Sequence, residues 1–207
     1  TGVVLIPVNM RCPPLISGVS WDNYLVGRMA AEHLAGLGHK HLLCVGLDYD
    51  QLWVENRISG FKDYCNENSI RYDILNARSG KQAYPVSEIS REIGQNNAMR
   101  IVKEYKATAV FAVNDALAYG IYETFTANGI KIPEDYSLVG CDNDYALPWS
   151  GLTTFNLECI RAAETAADVI MNYLKSDNHL VWPVELKIQP RLIVRESTAA
   201  PGFCVTD

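Results

Sequence analysis

The chain has 207 residues, 48% of them hydrophobic and 20% charged, a composition that excludes disordered, collagen-like and fibrous classes. Its 18 basic and 24 acidic residues give a net charge of -6 with no basic stripe, so this chain alone is not expected to bind DNA or RNA strongly. No apolar run approaches the ~20 residues that span a bilayer.

At roughly 150 residues per domain, the length fits between one and two domains. Residues 1–7 read as a core strand entered midway, with no initiator Met and no secretory leader pattern. A Pro- and Gly-rich loop follows over 11–18. Residues 22–37 form a helix, with Leu25, Val26, Met29, Ala30, Leu34 and Leu37 on one face, Asp22 as N-cap and Gly38 as the stop. Strand 41–47, helix 55–66 and a short strand 72–75 come next, then a polar loop over 76–84. Helix 89–105, strand 108–113 and helix 114–128, ended by Gly129, follow. Strands 136–140 and 152–155 precede an Ala-rich helix over 159–174, and strands 181–188 and 192–195 close the chain. Strand and helix alternate throughout, which predicts an α/β fold with a mostly parallel, covered sheet.

The residues just after the strands carry the chemistry. Leu47 is followed by Asp48, Val113 by Asn114 and Asp115, and Cys141 by Asp142, Asn143 and Asp144. In open α/β sheets, ligands bind beyond the carboxyl ends of the strands. Carboxylates and amides gathered there suit a polyhydroxylated ligand, because each makes several hydrogen bonds. Trp53, Trp149 and several tyrosines offer an aromatic platform for the apolar face of a sugar. For each of these Asp and Asn residues a second reading stays open, since Asp, Asn and Ser after a strand also cap helices.

Catalytic and metal constellations are weak. There is no G-x-S-x-G elbow, Walker loop, G-x-G-x-x-G or H-E-x-x-H. His33, His39 and His41 are read as structural or surface residues rather than metal ligands. Asp142 and Asp144 are spaced for a ligand or turn role more than for acid/base work. Cys141 beside them has no placed His base. The six cysteines, Cys12, Cys44, Cys65, Cys141, Cys159 and Cys204, form no C-x-x-C pair and no zinc framework, and are read as reduced thiols of a cytoplasmic protein. No catalytic residue, metal or cofactor is expected.

Several segments together resemble the lac-repressor/galactose-repressor (LacI/GalR) family of bacterial transcription regulators. Val19, Ser20, Asp22 and Asn23, with His33, Leu34, Gly38 and His39, resemble its V-S-x-D-N…HL…GH segment. Arg57, Gly60 and Phe61 match R-x-x-G-F, and Ala112, Asn114, Asp115, Ala118 and Gly120 match A-x-N-D-x-x-A-x-G. Residues 129–142 resemble G-x-x-I-P-x-D-x-S-x-x-G-x-D, residues 152–154 read LTT, and residues 192–198 resemble L-x-x-R-x-S-T. These motifs stand in the family's order from about residue 3 to residue 201.

The resemblance implies the effector-binding core of such a regulator, with a periplasmic-binding-protein-like fold of two Rossmann-like lobes. By resemblance, residues 38–155 and 180–207 form the C-terminal lobe, and 1–37 and 156–179 are a remnant of the N-terminal lobe, the helix-turn-helix headpiece lying outside this chain. Family ligand positions map onto Asp22, Arg57, Asn114 and Asp142, with Trp53 as a further candidate. Arg supplies a rigid fork of donors, and Asp and Asn accept from hydroxyls. The implied function is sensing of a small effector, a sugar or sugar derivative first and a purine second, that modulates operator binding by the headpiece of a cytoplasmic homodimer, with no membrane partner. The alternatives are a periplasmic sugar-binding protein of a transport system and, more remotely, an enzyme using Asp142 or Asp144. A remnant lobe leaves helix 159–174 with an exposed apolar face, so the chain is expected to self-associate or to be poorly stable.

Overall fold

A computed structural model describes residues 18–48, 51–77, 86–175 and 185–202. The expected strand at 1–7, most of the 11–18 loop, Cys12 and Cys204 lie outside these residues. The described elements are β1 (Gly18–Trp21), α1 (Asn23–Gly36), β2 (His41–Leu47), α2 (Leu52–Glu67), β3 (Arg71–Ala77), α3 (Val86–Glu104), β4 (Ala109–Ala112), α4 (Asp115–Ala127), β5 (Ser137–Val139), β6 (Thr154–Asn156), α5 (Cys159–Lys175), β7 (Glu185–Ile188) and β8 (Arg191–Ile193).

The main sheet is parallel, in the order β3-β2-β4-β5. β2 is buried from Leu42 to Leu47, as expected of a central parallel strand covered on both faces. From β2 the chain runs to β3 on one side and then returns to β4 on the other. The crevice between the carboxyl ends of β2 and β4 is therefore the topological switch point, where open α/β sheets bind ligands.

Two helix pairs cover the sheet. In α1, the carboxylate of Asp22 caps the first turn by accepting from the Leu25 amide at 2.9 Å. Val26, Ala30 and Leu34 then recur at helical spacing on the buried face. Gly38, at φ +102°, turns the chain out of the helix. α1 lies on α2 with backbone against backbone: a Cβ on Gly27 would overlap the carbonyl oxygen of Arg57, and one on Gly60 would overlap that of Tyr24. α3 and α4 meet in the same way through Gly94 and Gly120. Phe61 of α2 stacks on Phe111 of β4 at 5.9 Å and joins the helix pair to the sheet.

The remaining strands form two small pairs. β6 and β8 are antiparallel and adjoin the main sheet through a bridge between Val139 and Thr153. β1 and β7 are parallel and pack under α5 around Val19, Ala162 and Ile188. β1 pairs with β7, while the apolar stripe and glycine contact of α1 lie against the main core. Toward the end of the described residues, β7 lies beside β1 and β8 beside β6. β1 itself is a strand the sequence pattern did not place.

Candidate functional site

A cavity of about 240 Å³ opens at the switch point. Four of the five residues expected at the site, Trp53, Arg57, Asn114 and Asp142, line it. Asp22 does not: its carboxylate is engaged as the N-cap of α1, and its neighbour Trp21 forms the wall instead. Asp144, Ser87, Ala116 and Leu157 complete the lining.

Arg57 is the anchor. It leaves the inner face of α2 with only 3% of its side chain exposed. Nε donates to Asn23 Oδ1 at 2.9 Å, and Nη1 donates to the Val113 carbonyl at 2.5 Å. The guanidinium lies 4.8 Å over the Trp53 ring and 3.6 Å from Asp142 Oδ1. A buried guanidinium is tolerable because Nε and Nη1 each donate to a protein oxygen and a carboxylate stands beside it, and its remaining N–H groups are left for a ligand. The geometry holds a fixed fork of donors at the base of the cavity.

Asn114 serves both readings made of it. Its Oδ1 caps α4 by accepting from the Leu117 amide at 2.8 Å, and its Nδ2 donates to Ser90 Oγ at 3.1 Å. An amide has one more hydrogen and one more lone pair than these bonds use, so capping leaves capacity for a ligand.

Asp142 follows β5 at φ +129°, and Asn143 follows it at φ +53°, two successive non-glycine residues outside the usual backbone regions. Their conformation is held from outside: the Asp142 amide donates to the Phe155 carbonyl at 3.0 Å, and the Asp144 amide donates to Asp115 Oδ2 at 2.9 Å. The Asp142 side chain is 44% exposed on the cavity wall. Burial first, opposed by Arg57 and reinforced by the carboxylates of Asp115 and Asp144, pushes its carboxyl up to about 7. Asp115 is buried and accepts from Thr154 Oγ1 at 2.6 Å, and burial pushes its carboxyl up as well.

The arrangement favours holding over reacting. Cys141 lies beneath Asp142, and burial pushes its thiol well up, away from a nucleophilic thiolate. The histidines that could assist are engaged elsewhere. His33 bonds Thr198, His39 bonds Thr108, Ser137 and the Ala199 carbonyl, and His41 pairs with Asp73. Among the described residues, Cys44, Cys65 and Cys141 are buried free thiols and Cys159 is an exposed one.

Trp21, Leu157, Ser87 and Ala116 were missed at the sequence level. The alternation of Val19, Ser20 and Trp21 before Asp22 was the available signal for Trp21. Its indole Nε1–H is enclosed and has no acceptor among the described residues. A second cavity, of about 160 Å³, lies on the other side of Asp144, between Asp115, Trp149 and Arg195.

The periplasmic binding protein-like domain family matches residues 31–198. The transcriptional regulator DegA of Bacillus subtilis is 32% identical over 122 residues, covering 59% of this chain and 34% of the relative. The transcriptional repressor PurR of Vibrio atlanticus is 30% identical over 157 residues, covering 74% and 45%. The chain thus spans less than half the length of these curated relatives. Among solved structures, a LacI family transcriptional regulator of Enterococcus faecium with bound ribose superposes with a TM-score of 0.79 at 27% identity, over 94% of this chain and 70% of that one. The chain belongs to the periplasmic binding protein-like family and represents the effector-binding core of a LacI/GalR-type regulator.

Proposed function

We propose that this chain senses a small effector for a bacterial transcription repressor. The observation that carries the reading is the placement of Arg57, Asn114, Asp142 and Trp53 around one cavity at the switch point of the main sheet. Guanidinium, amide and carboxylate provide donors and acceptors for hydroxyls, and the tryptophans provide faces for the C–H side of a sugar ring. A sugar or sugar derivative is the effector class this chemistry suits best, and the ribose bound by the Enterococcus faecium regulator supports it.

The working arrangement is a two-lobed core. The main sheet with α1 to α4, β6 and β8 belongs to one lobe, and β1, α5 and β7 belong to the other. An effector with different affinity for open and closed lobe arrangements shifts that balance, and a DNA-binding headpiece outside this chain reports it. The regulator acts in the cytoplasm as a homodimer, meets operator DNA through the headpiece alone, and performs no catalysis. A role in transport receives less support, because the curated relatives above are regulators.

The test is calorimetric titration of the full-length protein with a panel of sugars and a panel of nucleobases. Binding of a sugar with a stoichiometry of about one per chain supports the reading. Binding of a nucleobase with no sugar response overturns the carbohydrate assignment.

A further inference from the structure

The crossover from β1 into α1 runs beside Arg57, and one side chain there touches both. Asn23 is the first residue of α1 and only 5% exposed. Its Oδ1 accepts from Arg57 Nε at 2.9 Å. Its Nδ2 donates at 3.3 Å to the carbonyl of Trp21, the last residue of β1. Helix capping does not account for this amide, because the carboxylate of Asp22 already caps α1. Burying an amide costs free energy unless it is bonded. Here the bonds run to the anchor of the cavity on one side and to β1 on the other.

The same crossover is tied to the partner of β1. The Asp22 amide donates to the carbonyl of Ile188, the last residue of β7, at 3.0 Å. Trp21 packs against the main core and also against the cluster of Val19, Ala162 and Ile188. Trp21 and Arg57 both line the cavity, and Asn23 stands behind Arg57. Guanidinium and carboxamide are each planar and rigid. A ligand bonded to the remaining N–H groups of Arg57 therefore shares one rigid fork with Asn23. A change in the tilt of that fork moves the Asn23 amide, and the amide moves against the end of β1.

We infer that Asn23 is a positioning residue that carries effector occupancy from Arg57 to β1. The inference rests on the reading that this cavity is the effector site and that β1, α5 and β7 belong to a second lobe. Asn23 acts through Arg57, by accepting from Nε, and on β1, by donating to the Trp21 carbonyl. The two ends of one amide thus join ligand holding to lobe movement through a hydrogen-bonded chain.

The experiment uses the full-length regulator, its Asn23→Ala and Asn23→Asp variants, and five probes: ribose, glucose, galactose, adenine and guanine. Calorimetry finds the probe that binds. Hydrogen–deuterium exchange of residues 18–21 and 185–188 is then read without the probe and at saturation. In the wild type, saturation should slow exchange in β1 about tenfold or more. Asn23→Ala leaves Nε unpaired and should weaken binding about tenfold. Asn23→Asp keeps an acceptor for Nε but loses the donor to Trp21, so it should bind within about threefold of wild type. At saturation it should nevertheless lose the slowing in β1, with a circular dichroism spectrum matching the wild type. A purely structural role for Asn23 would not separate binding from protection in this way. Slowing retained in Asn23→Asp, equal loss of binding in both variants, or no slowing in β1 of a wild type that binds overturns the inference and leaves the effector reading standing. Silence of all five probes overturns both.

Discussion

The main sheet and the β1–β7 pair differ in how they are held. Around β2 and β4, large apolar side chains are sealed on both faces, with Phe61, Phe111, Leu42, Leu43 and Leu117 fully buried. Around β1 and β7, the buried cluster among the described residues is Val19, Ala162 and Ile188, and α5 leaves Ile160 79% and Leu174 63% exposed. Deep packing fixes positions, and thin packing leaves low-cost opening motions. The cavity draws on both regions. Arg57, Asn114, Asp142 and Leu157 stand on the first, while Trp21 ends β1 and packs against both. A site with one rigid wall and one loosely tied wall can register its ligand by how firmly the second closes on the first.

The largest way to break this comparison is to loosen the rigid wall. Gly27→Ala drives a methyl into the Arg57 carbonyl and forces α1 from α2. Urea unfolding should show a loss of about 2 kcal/mol or more, with weakened effector binding because Arg57 moves. An unchanged midpoint would mean that the helix contact is soft.

The next test concerns the thin region. Ile160, Met171 and Leu174 expose apolar surface on α5, so the chain of 207 residues should self-associate in sedimentation velocity. Ile160→Lys with Leu174→Glu should shift it toward monomer with little change in the main melt. A monodisperse wild-type monomer with one sharp melt would remove the contrast.

A smaller effect sharpens the chemistry of the rigid wall. Desolvation in the cavity first, with Asp115 and Asp144 adding and Arg57 opposing, raises the Asp142 carboxyl to about 7. A ligand that donates to it favours the ionised form. Effector affinity should therefore climb as pH rises toward about 7 and level off above, and Asp142→Asn should flatten the profile. A wild-type profile that falls over this range would contradict the sign. Least of all should come from Arg100→Ala, which breaks an exposed i,i+4 pair with Glu104 on α3. Its unfolding midpoint should match wild type within scatter.

Much of the rigid region was legible in the sequence. β2 matches the expected strand at His41–Leu47, Asp22 caps α1 as read, and the residues after β4 and β5 meet at one cavity. Local patterns encode these features, through apolar runs, capping residues and strand-end polar clusters. The contribution of Trp21 was not legible, because β1 is held by β7, which lies far away in sequence. Such a strand is defined by its distant partner as well as by its own propensity. Asp115 was visible as a strand-end acid, yet its role rests on contacts with Thr154 and the Asp144 amide, which periodicity does not reveal. The glycine contact between α1 and α2 was not legible for the same reason: Gly27 and Arg57 meet only in three dimensions.

The central claim is that Arg57 and Asp142 hold the effector from the rigid wall. Its most direct measurement is calorimetric titration of Arg57→Ala and Asp142→Ala with the sugar that binds the wild type, beside circular dichroism of each. The predicted result is a loss of about 2–3 kcal/mol of binding in both with native-like spectra, since each change leaves a buried polar partner unpaired. Wild-type affinity in both variants would contradict the account.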